Sequence, residues 1–170
     1  MNVEEIGQQL SKMEFALVHG GPRHPVYPNV SAQSQINQVF DAYPRLRKDQ
    51  SYVDFLEMYA GALILYPDSS IVVLIHGIWD YTPHLLDGEF VDGKYLCFAD
   101  VMFDPPINDD ILSVGFAFDI SNDEPGIFRS VDYDDPEGEF SIRREPYRPY
   151  CDTFVEWLDK LVRVKGRLVD

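Results

Sequence analysis

The stretch Tyr52-Val53-Asp54-Phe55-Leu56-Glu57-Met58-Tyr59-Ala60-Gly61 is where a helical pattern stops and a strand pattern begins. Phe55, Leu56, Met58 and Tyr59 recur at three- and four-residue spacing, enough for one apolar helix face. Gly61 can take the left-handed backbone that ends a helix cheaply. Two apolar runs follow at once, residues 62–66 and 71–75, parted by Pro67-Asp68-Ser69-Ser70, a turn-rich tetrapeptide of hairpin type. The helix therefore feeds a sheet.

The rest of the chain extends this plan. Val3, Ile6, Leu10, Met13 and Leu17 mark an amphipathic helix over residues 2–18, ended by Gly20-Gly21-Pro22. Pro22, Pro25 and Pro28 make an extended connector, since each proline lacks an amide hydrogen and restricts its predecessor. Ser31 is placed to cap a second helix that runs to about Tyr43, where Pro44 stops it. Residues 76–94 mix aromatics and two histidines without a period and read as irregular. Strands are expected over 95–103, 112–120, 127–133 and 140–143, and the prolines of Asp104-Pro105-Pro106 should interrupt the ladder between the first two. These connections are too short for helical crossovers, so the sheet should be antiparallel, with about five to six strands. Thr153 and Glu156 have the spacing of a capping box, and Phe154, Trp157, Leu158, Leu161 and Val162 give the last helix a stripe to lay on the sheet. The expectation is one α+β domain spanning residues 1–170.

Composition limits what such a domain can do. With 170 residues, 45% hydrophobic, the chain can bury a core without disulfides, and no run reaches the roughly 18 apolar residues of a membrane span. The N-terminal residues lack a secretion signal and the two cysteines, Cys97 and Cys151, lie far apart, which points to the cytoplasm. A net charge of -15 repels nucleic acid and anionic lipid and attracts basic partners. Residues 100–139 hold twelve acidic residues against Arg129 alone, so this region reads either as solvated loops or as a binding face.

No strong catalytic or cofactor motif is present. The acidic tip Asp132-Tyr133-Asp134-Asp135-Pro136-Glu137-Gly138-Glu139 fails as a twelve-residue calcium loop: with Asp132 first, Pro136 is fifth and Glu137 stands sixth, where a glycine belongs. His76, Asp80 and His84 would share a metal only on a continuous helix, which Gly77 and Pro83 oppose. Cys151 lies near a helix start that can favour a thiolate, yet no histidine is close in sequence to serve as its base. There is no phosphate-cradling glycine loop and no nucleophile elbow. A binding protein is thus the stronger reading, and no cofactor is expected. The alternatives are a small-molecule or metal-dependent enzyme with a site near His76 and His84, or a regulatory interaction module.

The order of elements resembles the SUKH superfamily, the Smi and Knr type domains that include bacterial immunity proteins. The likeness rests on Tyr52-Val53-Asp54-Phe55-Leu56 through Ala62, on Gly115-Phe116-Ala117-Phe118-Asp119 and Gly126-Ile127-Phe128-Arg129-Ser130, and on Phe154-Val155-Glu156-Trp157-Leu158. It covers roughly residues 40–164. The leucine-proline pair that often precedes the family's helix is absent, the first helix has no tryptophan, and residues 76–94 have no counterpart. The resemblance implies a domain that binds and blocks a toxin protein, commonly a nuclease, without catalysis. The chain's acidity fits a basic partner independently, since nucleases present basic clefts. Asp109, Asp110, Asp132, Asp134 and Asp135 are the expected contacts.

Overall fold

The computed structural model describes residues 2–13, 15–91, 93–107, 111–121, 126–134, 140–144 and 149–169; Val3, Val91, 131–134 and 140–144 are described by backbone alone. The fold is α+β. Helices α1 (Val3–Ser11), α2 (Ala32–Ala42) and α3 (Gln50–Tyr59) precede most of the sheet, and α4 (Phe154–Arg163) closes on it. Six strands have five residues or more: β2 (Ala62–Tyr66), β3 (Ile71–Ile75), β5 (Tyr95–Ile107), β6 (Ile111–Asp119), β7 (Ile127–Asp134) and β8 (Phe140–Arg144). The three-residue β1 (Ala16–Val18) and the two-residue β4 (Phe90–Val91) add to them. Among the described residues every pairing of these strands is antiparallel, in the order β1-β2-β3-β5-β6-β7-β8, with β4 on β5.

The core lies between the helices and one face of the sheet. Trp157 and Phe154 of α4 and Tyr52 and Phe55 of α3 meet Phe98 of β5 and Phe116 and Phe118 of β6, with ring centroids 4.7–5.8 Å apart around Phe98. These seven side chains are essentially fully buried. Offset and edge contacts of this kind add to the stabilisation from the area they bury.

One carboxylate ties the two central helices together. Asp49 caps α3 through Oδ1, which accepts from the amides of Ser51 (3.1 Å) and Tyr52 (3.3 Å). Its Oδ2 accepts from the amide of Phe154, the first residue of α4, at 2.6 Å, and the Ser51 hydroxyl oxygen takes the next amide, Val155, at 3.2 Å. A helix start leaves four amides without intrahelical partners, so α3 supplies α4 with acceptors that its own sequence lacks. Thr153 caps the amide of Glu156 as expected, but the Glu156 carboxylate reaches the amide of Asp152 rather than that of Thr153.

Four expectations are corrected. The helix read over residues 2–18 stops at Ser11, because the edge of β2 offers residues 15–18 hydrogen bonds: Leu65 donates to the Phe15 carbonyl, and Ala16 pairs with Ile64. Leu17 is thereby moved from a helix stripe to the open sheet, 56% exposed. The left-handed residue that ends α3 is Ala60 (φ 48°), not Gly61, although Gly61 follows at φ 133°, which only glycine adopts freely. Gly77 is pressed against this corner, where an added Cβ would lie 1.9 Å from the Ala60 carbonyl oxygen. The prolines do not end β5, which continues to Ile107 across a cis Asp104–Pro105 bond. They do remove it from the ladder, since pairing with β6 skips from Met102 to Ile107. Finally, Ser31 precedes α2 but its hydroxyl bonds to Asn29 rather than capping the helix.

Candidate functional site

Strand alternation sends half of the sheet's side chains away from the helices. In register across the strands run Leu17, Leu63, Leu74, Asp100, Gly115 and Ser130. A second row holds Leu65, Val72, Met102, Ser113 and Asp132. This second face is apolar from β1 to β3; from β5 onward it mixes Met102 with polar side chains, and at the β4 end it carries a small buried cluster of Tyr95, Cys97 and Ala117 with Phe128 packed against it. Leu63, Leu65, Val72 and Leu74 are half-buried, and Met102 is 38% exposed. An antiparallel sheet normally presents polar side chains on its uncovered face, so an apolar stretch there marks a surface for contact.

A polar seam lies beside it. Along one edge, β5 pairs first with β4 and then with β3, while β6 occupies the other edge. At the junction the amide of Cys97 is given to the Glu89 carbonyl at 2.8 Å and the amide of His76 to the Phe98 carbonyl at 2.7 Å. A register shift between Cys97 and Ala99 marks a bulge at the same point. Alternation past Leu74 and Ile75 puts the imidazole of His76, 1% exposed, on the open face, and the bulge in β5 re-aims Asp100 to the same side. Its Nδ1 lies 3.2 Å from the Cys97 carbonyl oxygen and its Nε2 2.7 Å from Asp100 Oδ2. A Glu89 oxygen joins them, so that the ligand atoms of His76, Glu89 and Asp100 all lie within 4.8 Å of one another. Gly115 faces Asp100 across the ladder, and a Cβ there would come within 2.8 Å of the Ser130 hydroxyl and 3.4 Å of Asp100 Oδ1.

The two thiols are poor nucleophiles. Burial, reinforced by Asp100 and Glu89, pushes the Cys97 thiol up to about 12. Burial also pushes Cys151 up to about 11, against the pull of Lys160, so the nearby helix start does not yield a thiolate. A bridge between Gly77 and His84 sets the two histidines on neighbouring backbone, but their rings take different partners: His84 Nδ1 accepts from the Leu86 amide while His76 turns to Asp100. Trp79 stacks on His19, with ring centroids 6.2 Å apart.

Among the expected contacts, Asp132 stands in register with Ser113 and Ile142, and Asp134 with Phe140 at the end of β7. Their side chains, and Asp109, Asp110 and Asp135 altogether, lie outside the described residues. Asp100 and Glu89 were not singled out from sequence. An aspartate inside the apolar run Tyr95–Phe103 was a signal for Asp100, but the face it occupies depends on the bulge.

No protein-family model matches the chain, and no curated protein and no solved structure matches it.

Proposed function

We propose that this chain is a non-catalytic protein-binding domain, acting in the cytoplasm, whose open sheet face holds a basic polypeptide of the kind that immunity proteins block, a nuclease-type toxin domain. The observation that carries this reading is the uncovered face itself. Leu17 and Met102 are exposed beside half-buried Leu63, Leu65, Val72 and Leu74, in a chain of net charge -15. An apolar centre supplies burial on association, and an acidic surround speeds the encounter with a basic partner and rejects acidic ones. The resemblance to SUKH domains supports the same reading, and Asp109, Asp110, Asp132, Asp134 and Asp135 are the acidic contacts expected from the sequence.

The test is capture from the native host's lysate at low and high salt, using the wild-type chain, a face variant (Leu63→Ser with Leu74→Ser) and an edge variant (Asp134→Lys with Asp135→Lys). The expected result is one basic polypeptide, retained by the wild type at low salt, weakened by high salt and by the edge variant, and lost with the face variant. A polypeptide held equally by the wild type and a folded face variant would overturn the assignment of the face.

A further inference from the structure

The seam described above has the composition and geometry of a cation site. We propose that His76 Nε2, Asp100 and Glu89 form a three-ligand site for a divalent first-row transition ion, with Zn²⁺ as the representative case. The inference does not depend on what, if anything, docks on the apolar half of the face.

Three observations support it together. The first is orientation. His76, one residue past β3, is held by the neighbouring strand β5: its amide is bonded to the Phe98 carbonyl, and its Nδ1 faces the Cys97 carbonyl, which can only accept. With the Nδ1 proton given to that carbonyl, Nε2 is the nitrogen turned toward the carboxylates, and loss of the proton it shares with Asp100 opens its lone pair to an ion. Metal-bound histidines are commonly held by such a bond from the other ring nitrogen to a backbone carbonyl, which fixes the tautomer and raises ligand basicity. The second is spacing. Ligands of one tetrahedral zinc ion sit about 2.0–2.2 Å from it and hence about 3.3–3.6 Å apart, a spacing that the three groups reach by small side-chain rotations. The contact from His76 Nε2 to Asp100 Oδ2 is 2.7 Å, and one ligand atom each of His76, Glu89 and Asp100 lie within 4.8 Å of one another. Small rotations of an exposed glutamate close that gap. The third is charge. Two carboxylates converge on one imidazole, and the Glu89 side chain has no hydrogen-bond or ion-pair partner among the described residues.

The donor set selects the ion. Imidazole nitrogen suits zinc and its neighbours, whereas magnesium and calcium prefer oxygen alone. Binding is a ligand exchange without redox change: the proton shared between Nε2 and Asp100 Oδ2 leaves for solvent, and the ion takes its place. Three protein ligands leave a fourth position on the open face for water or for a donor from a partner.

The experiment is calorimetric titration of the full, untagged chain with zinc chloride, and separately with magnesium chloride. It is run on the wild type, on Glu89→Gln and Asp100→Asn, and on Glu4→Gln, which removes an exposed carboxylate on α1. The expected result is one zinc per chain with proton release, no comparable magnesium binding, at least a tenfold loss of affinity in Glu89→Gln and Asp100→Asn, and no change in Glu4→Gln. Glu89 is exposed, so its variant keeps the fold whatever Asp100→Asn does. Shifts of the His76 ring signals on adding zinc report the site without mutation. Absence of saturable zinc binding in the wild type, or affinity unchanged in Glu89→Gln, overturns the site, the latter outcome meaning adventitious carboxylates.

Discussion

Replacing Asp49 should cost more than any ordinary helix cap, because two helices start on the same carboxylate. Asp49→Ala removes the acceptors of Ser51 and Tyr52 at the start of α3 and of Phe154 at the start of α4. It also frees the Ser51 hydroxyl, now donated to Oδ1 at 2.5 Å while its oxygen serves the Val155 amide. A lost cap costs about 1 kcal/mol at each helix start, and the partly buried Phe154 amide left unpaired raises the sum to about 2–3 kcal/mol. At about 2–4 °C per kcal/mol for a chain of this size, Tm should fall by about 4–12 °C. Asp49→Asn keeps one acceptor oxygen and sets an amide group against the other helix, so it should lose about 1 kcal/mol, the price of one cap. Urea unfolding followed by far-UV circular dichroism measures both, with Thr153→Ala as the reference, since that change removes only the bond from Glu156. The midpoint should shift with the slope unchanged. Asp49→Ala no more destabilising than Thr153→Ala would refute the shared cap.

Two further outcomes follow from burial. The Tyr52 hydroxyl is buried without a hydrogen-bond partner among the described residues, and burial, then the negative charge of Asp49, push its ionisation up. Tyr52→Phe should therefore leave stability unchanged or raise it by up to about 1 kcal/mol; a loss of that size in urea unfolding would show that the hydroxyl has a partner. Cys151 should alkylate slowly. With its thiol pushed up to about 11, the reactive thiolate forms only as pH rises toward that value. The rate with iodoacetamide at pH 8 should be about 100-fold below that of an ordinary thiol and still climbing at pH 10. A plateau by pH 9 would contradict the burial argument.

Much of the fold was legible because period and punctuation agreed. The β2–β3 hairpin, α3, β7 with β8 and α4 follow residue patterns that tertiary contacts reinforce. Where the reading failed, a partner distant in sequence decided the outcome. Residues 15–18 carry a helical stripe, yet the open edge of β2 makes them a strand. Ala60 takes the left-handed turn one residue before the glycine suited to it. The site was the least legible part. His76 follows the last residue of β3, Glu89 precedes the first residue of β4, and Asp100 stands just past a bulge in β5. No spacing rule connects them, and the bulge decides on which face Asp100 emerges. The open apolar face was hidden for a related reason: its leucines sit in continuous apolar runs that read equally well as strands buried on both sides.

The division of one edge of β5 between two partners bears on how this sheet breathes. Along that edge β3 contributes five residues, three of them buried in the core, whereas β4 contributes two. Releasing β4 gives up few hydrogen bonds and little apolar contact; releasing β3 opens the core itself. Amides at the two sides of the seam should therefore exchange with solvent deuterium on separate clocks, Cys97, bonded to Glu89, at the rate of a local opening and His76, bonded to Phe98, near that of global unfolding. The sheet is continuous in geometry but not in lifetime.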